Sequence, residues 1–208
     1  MRLINIHSLI AIAGLLLFTN SNIFAQNIKN KLEKESLQVA YFASGCFWCV
    51  EAIYEHVNGV EEAVSGYSGG HTKNPTYKST GTGKTGHAET VAVYYNPEIV
   101  SFQTLVEVYF GTQDPTTFGQ HPDYGSPYRS IIFYQNDKEK QIIEGIFLAL
   151  NNEVYQNKMV TEIKEFDVFY KAEEYHQDFE KLHPDNGYIR NVSIPRLNRF
   201  KKSFPELL

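Results

Sequence analysis

The sequence predicts an α+β fold: a two-layer domain in which a mixed β-sheet is flanked by helices. Three observations carry that prediction. Short apolar or alternating stretches are interleaved with stretches whose apolar residues recur three and four apart. The order they give, β-α-β-β-α-β-α-β-α, is a mixture and not a uniform repeat. Both cysteines fall at one strand-to-helix junction, in "SGCFWCVE" over residues 44–51, which puts a cysteine at a helix N-terminus.

The chain has 208 residues, 42% hydrophobic and 21% charged, enough for one globular domain with a core. Its formal charge of −5 and the lack of an extended basic patch argue against nucleic acid as a partner. Residues 1–25 read as a secretory signal peptide: Arg2 opens it, residues 9–18 are an apolar run too short for a comfortable span, and Ala25 offers a cleavage position. The remainder is therefore expected outside the cytoplasm, periplasmic or extracellular, without stable membrane insertion. Residues 26–36, "QNIKNKLEKES", are a polar lead-in, and residues 37–208 one domain.

Within that domain, residues 37–43 read as a strand, broken at Gly45. Val50, Ile53, Tyr54 and Val57 then fall on one helical face, ended by Asn58-Gly59. Residues 60–67 suggest a second strand and 68–86 a long loop of the kind that carries function. Val91, Val93 and Tyr95 alternate before Asn96-Pro97, marking a strand. Ser101 is placed to cap a helix with Phe102, Leu105, Val106, Tyr109 and Phe110 inward. Residues 112–128 form a second long loop, and "RSIIFY" a short buried strand. Asp137 is expected to cap a helix that buries Ile142, Ile143, Ile146, Phe147 and Leu150. Residues 160–170 read as one strand, 172–183 as one helix, and the tail from 184 as mostly irregular. In that tail Arg196, Arg199, Lys201 and Lys202 read as a solvated cluster.

Two thiols three residues apart close too small a loop to stabilise a fold much, so the pair suits redox exchange better than a structural staple. No second CxxC or closely spaced His pair accompanies them, so no metal site is expected. Cys46 meets the unpaired N–H groups and positive dipole end of its helix, which favour thiolate. It is thus the expected nucleophile, with Cys49 as resolving thiol. A general thioredoxin-like thiol–disulfide oxidoreductase is one reading of such a motif. The bulky Phe47-Trp48 pair and the following elements count against it, and it stays as the alternative.

Five pieces then occur in order: "GCFWC" at 45–49, "GYSGG" at 66–70, "NPTY" at 74–77, "TGHAE" at 85–89 and "YRS" at 128–130. Their order and spacing resemble the A-type peptide methionine sulfoxide reductases, from about Gln38 to about Asp185. The resemblance implies an enzyme that reduces protein-bound methionine S-sulfoxide in repair of oxidative damage. It implies Cys46 as nucleophile, Glu89 as proton donor, and Tyr77 and Tyr128 as hydrogen-bond donors to the sulfoxide oxygen. Phe47 and Trp48 would hold the substrate's methyl group, and Asp123 would help orient substrate and water. The commonest family pattern has Gly where Cys49 stands, and often uses tail cysteines that this chain lacks. A Cys46 sulfenic acid resolved to a Cys46–Cys49 disulfide is therefore expected. An external thioredoxin-like thiol reductant would complete the cycle, with no other cofactor and a monomeric enzyme.

Overall fold

The structure is a computed structural model that describes residues 36–208; the expected signal peptide and residues 26–35 of the lead-in lie outside the described residues. Strand β1 (Gln38–Ala43) sits mid-sheet and is apolar on both faces. Ala40 and Phe42 pack toward the helices, while Tyr41 and Ala43 join a smaller cluster on the opposite face. Gly45 then turns the chain at φ +82°, where a Cβ would come within 2.9 Å of the Gln120 side chain. Helix α1 (Phe47–Tyr54) starts at once, with Cys46 in the N-cap position. All but Trp48 of its residues are buried, which only a helix enclosed on several sides allows.

Strands β2 (Val60–Ser68) and β3 (Ala88–Tyr95) pair antiparallel, and β3 also pairs antiparallel with β1. The loop between β2 and β3 contains a one-turn helix, α2 (Tyr77–Thr80), closed by a capping box between Thr76 and Ser79. Ser101 caps α3 (Phe102–Gly111), its hydroxyl accepting from Thr104 N at 3.0 Å. The second loop holds a small hairpin, β4 (Gly119–Gln120) with β5 (Asp123–Tyr124), and a 3₁₀ turn, Ser126–Tyr128. After β6 (Ile131–Tyr134) comes α4 (Asp137–Glu153). Its cap is Asn136, not the expected Asp137, because the Asn136 carbonyl oxygen accepts from Glu139 N at 3.0 Å.

Residues 160–170 are not one strand. They form β7 (Glu162–Glu165) and β8 (Phe169–Lys171), which lie on opposite edges of a six-stranded sheet of order β7-β6-β1-β3-β2-β8. Only the β6–β7 pair is parallel. A link of three residues reaches about 14 Å, whereas the edges of a flat six-stranded sheet lie about 24 Å apart. The sheet is therefore curled, and the link crosses the face that the helices leave open. Phe166 and Phe169 cover that face: Phe166 stacks on Tyr41 with ring centroids 3.8 Å apart, and Phe169 packs at a tilt against the same ring at 5.6 Å.

Residues 172–183 are not one helix either. A 3₁₀ turn (Glu174–His176) and the single turn α5 (Phe179–Leu182) are separated at Asp178, which has φ +51°. Buried Glu51 accepts from Asp178 N, and the Gln177 side chain pairs with both Ser65 N and Ser65 O, so tertiary bonds take the backbone groups a helix would use. The tail is not irregular: a π turn (Ile189–Ser193) runs into α6 (Ile194–Ser203). Leu197, Phe200 and Arg196 of α6 are buried, so Arg196 does not belong to a solvated cluster. The unit Gln38–Leu208 thus has helices α1, α3, α4 and α6 over one sheet face.

Candidate active site

The site forms where the N-terminus of α1 meets the curled sheet. Cys46 lies between the β1 turn and α1; its neighbour Gly45 donates N–H to the Tyr128 carbonyl at 3.1 Å, which ties the cysteine turn to the second long loop. Glu89 projects from β3 on the helix side and is 3% exposed. Its Oε2 accepts from Phe47 N at 3.0 Å, so a carboxyl group occupies the first free donor of α1. A pocket of about 100 Å³ is lined by Cys46, Phe47, Trp48, Tyr77, Glu89, Asp123, Tyr128 and Tyr188. All seven residues expected at the site apart from Cys49 are therefore brought together, with Tyr188 added. Cys49 faces a second, larger cavity beside the pocket.

Each ring is held by a specific neighbour. Tyr77 is set by its backbone N, which donates to Glu173 at 2.9 Å, and its ring packs 6.3 Å from Phe47. Trp48 stacks on Phe179 at 3.8 Å, and its Nε1 donates to His176 Nδ1 at 3.2 Å. The His176 ring in turn lies 4.9 Å from Phe47 and 4.5 Å from Tyr77. His87 has a different place: its Nδ1 accepts from Gly70 N at 3.1 Å, and Nε2 meets Thr72 O at 2.8 Å, pinning the long loop to β3. Tyr188, from the tail, donates to Asp123 and lies 3.8 Å from Cys49 Sγ.

Burial pushes the Glu89 carboxyl up to about 8, opposed by the Phe47 N–H and reinforced by Asp123 and Cys49. Glu89 is thus a neutral acid at pH 7. Tyr77 and Tyr128 are pushed up as well, chiefly by desolvation, so both keep a proton to donate. The cysteines depart from the sequence expectation. Burial, the adjacent Cys49 and Glu89 raise the Cys46 thiol well above its ordinary range. Cys49 is lowered to about 6, first by the hydrogen bond from Cys46 and then by Arg196, Ser193 and Tyr188. The physical reason is burial first, which disfavours a thiolate on Cys46, while the Cys46 thiol and the Arg196 cation favour negative charge on Cys49.

Arg196, Tyr188, His176 and Phe179 are the contributors that sequence reasoning missed. Arg196 donates from Nη1 to Ser44 O (2.9 Å), from Nη2 to Ser44 Oγ (3.1 Å) and from Nε to Thr112 O (3.0 Å). It therefore clamps the residue two before Cys46 to the tail helix. No local pattern marks these positions; they sit in a stretch whose periodicity is broken by the tertiary bonds above. Both cysteines are free thiols, and among the described residues no group of three or more His, Cys, Asp or Glu is placed to hold a metal.

The arrangement defines a class: a thiol oxidoreductase whose nucleophile faces an apolar, acid-bearing pocket and is backed by a second thiol. Known proteins make it specific. The family model described as "Peptide methionine sulfoxide reductase" matches residues 38–208, and the chain belongs to that family. It is 44% identical over 171 residues to peptide methionine sulfoxide reductase MsrA of Saccharolobus solfataricus, covering 82% of this chain and 96% of that one. A Rhodopirellula baltica MsrA is 44% identical over 168 residues, 80% of this chain and 87% of its own. Among solved structures, reduced Mxr1 of Saccharomyces cerevisiae aligns with TM-score 0.68 at 30% identity, over 73% of this chain and 88% of that one. Mxr1 in complex with Trx2 aligns with TM-score 0.51 at 25% identity, over 70% and 86%.

Proposed function

We propose that this chain reduces methionine S-sulfoxide to methionine at the expense of thiols, with Cys46 as nucleophile. The observation that carries this reading is the convergence of one thiol, one neutral buried carboxyl, three phenols and two apolar rings on a single pocket of about 100 Å³. Phe47 and Trp48 receive the S-methyl group, and Asp123 with Tyr188 borders the side nearest Cys49. Tyr77 and Tyr128 donate to the sulfoxide oxygen. As Cys46 attacks sulfur, its proton passes to the hydrogen-bonded Cys49 thiolate, and Glu89 protonates the developing oxygen. The sulfoxide S–O bond breaks, methionine leaves, and oxygen remains on Cys46 as a sulfenic acid. Cys49 then attacks the Cys46 sulfur; an S–S bond forms and the oxygen departs as water.

A thioredoxin-like protein is the reductant that returns the disulfide to two thiols. The yeast relative solved in complex with Trx2 supports this. The composition of residues 1–25 supports an exported enzyme acting on oxidised proteins outside the cytoplasm, tested by cell fractionation; light scattering tests the expected monomer. The activity itself is tested with separated S and R methionine sulfoxide peptides and dithiothreitol. Methionine is expected from the S epimer alone, and none with Cys46→Ser. Reduction of insulin disulfides with neither epimer reduced would return the protein to the general thiol–disulfide class.

A further inference from the structure

Cys46 lines two cavities. Besides the aromatic pocket, a groove of about 530 Å³ reaches both cysteines from the far side of the Tyr188–Asp123 pair. One wall is α6 and the other is the stretch from Gly111 to Tyr124. Its size is that of a small-ligand cleft. Its lining carries three cations, Arg196, Arg199 and Lys202, against two carboxylates, Asp114 and Asp123, on a chain of net charge −5.

These charges are not equally available. Asp114 accepts from Thr116 N and Oγ1 at 2.9 and 2.6 Å, and Asp123 accepts from Tyr188. Arg196 is spent on Ser44 and Thr112. Arg199 and Lys202 are exposed on successive turns of α6 and, among the described residues, take part in no ion pair. The groove therefore has both cysteines in its lining and one more cation than carboxylates, with Arg199 and Lys202 the cations whose side chains are exposed. Cys46 and Cys49 are 8% and 2% exposed, so the sulfurs lie deep, within reach of a small molecule.

We infer that this groove is a second mouth, serving the reductive half of the cycle, and that it admits a small anionic thiol of tripeptide size whose carboxylates meet Arg199 and Lys202. The inference rests on the Cys46–Cys49 disulfide of the proposed function. A first thiolate attacks Cys46; the Cys46–Cys49 bond breaks, and Cys49 leaves as the thiolate beside Arg196. A mixed disulfide on Cys46 results. A second thiolate attacks the outer sulfur, releasing Cys46 and a small-molecule disulfide, and the two thiol protons pass to the site and solvent.

The test compares glutathione, with two carboxylates, against its diethyl ester, with none, as reductants of the full-length enzyme supplied with S-sulfoxide peptide. Each rate is divided by the dithiothreitol-supported rate of the same protein. The acid-to-ester ratio of the wild type is expected to exceed that of Arg199→Glu/Lys202→Glu by about five-fold at low salt. Added 0.5 M salt, as an order-of-magnitude condition, should shrink that gap. Equal ratios in wild type and variant at low salt overturn this inference alone. No methionine with dithiothreitol overturns the functional reading beneath it.

Discussion

Replacing Glu89 with glutamine tests the acid chemistry with the least disturbance to the fold. The glutamine carbonyl oxygen can keep the hydrogen bond from Phe47 N, so the start of α1 stays capped. What is lost is an acidic proton. With its carboxyl pushed up to about 8, Glu89 is about nine-tenths protonated at pH 7. At the ordinary value of 4.5 it would be about 0.3% protonated. Burial, reinforced by Asp123 and Cys49, thus raises the supply of acid about 300-fold, equivalent to about 3 kcal/mol. General acid catalysis contributes about 10²–10⁴ in rate. Glu89→Gln should therefore slow sulfoxide reduction by about 10³. The assay is single turnover, with pre-reduced enzyme in excess over an S-sulfoxide peptide and methionine quantified between about pH 6 and 9.5. The wild-type rate should fall above about 8, as Glu89 loses its proton, and the variant should lack that limb. A variant within about three-fold of wild type, or one that keeps the same alkaline limb, would refute Glu89 as the acid.

Other outcomes follow from the same geometry. Tyr128→Phe removes one donor to the developing oxygen and should lower kcat about 10²-fold, read by the same assay. Cys49→Ser should yield one methionine per enzyme and then stop when a thioredoxin system is the only reductant, as quantified by burst amplitude. Glu51 is 2% exposed and raised to about 7 by burial, and among the described residues no cation pairs with it. Its folded value lies above its unfolded one, so its contribution is full at low pH and is lost as pH rises through about 7. Glu51→Gln should therefore gain about 2–3 kcal/mol relative to wild type between about pH 5 and 8, measured by urea titration. Arg196→Met leaves Ser44 O, Ser44 Oγ and Thr112 O short of a donor and should cost about 3 kcal/mol in the same titration.

The parts of the site that were legible in the sequence are those built by local order. Cys46 at a helix start follows from the β1 pattern, Gly45 and the α1 face, all within a short stretch. Tyr77, Glu89 and Tyr128 sit in segments whose order and spacing can be matched piece by piece. The tail escaped because its inward face includes a cation. Arg196 breaks the apolar stripe formed by Ile189, Leu197 and Phe200, and its burial depends on three acceptors from distant segments. The breaks at Asp178 and between β7 and β8 escaped for a related reason. They depend on Glu51, Gln177 and the curl of the sheet, none of which leaves a local periodicity. The charge on the cysteine pair also needed tertiary information, since the dipole argument assumed a free N–H that Glu89 occupies.

That last point explains why the two thiols share one helical turn. A helix start offers several unpaired N–H groups, and in this chain the Glu89 carboxyl takes the first of them. Arg196, Ser193 and Tyr188 from the tail favour negative charge three residues further on, at Cys49. Residues three apart on a helix are neighbours on its surface, so charge and proton can pass between the sulfurs without backbone movement. Cys46 lines both the aromatic pocket and the basic groove, and Cys49 lines the groove. The two residues between them supply apolar walls of the pocket, Phe47 and Trp48, from the same turn. A short sequence motif thus places one sulfur at the meeting point of two cavities, with Arg196 of the tail helix lining the groove that the second sulfur also faces.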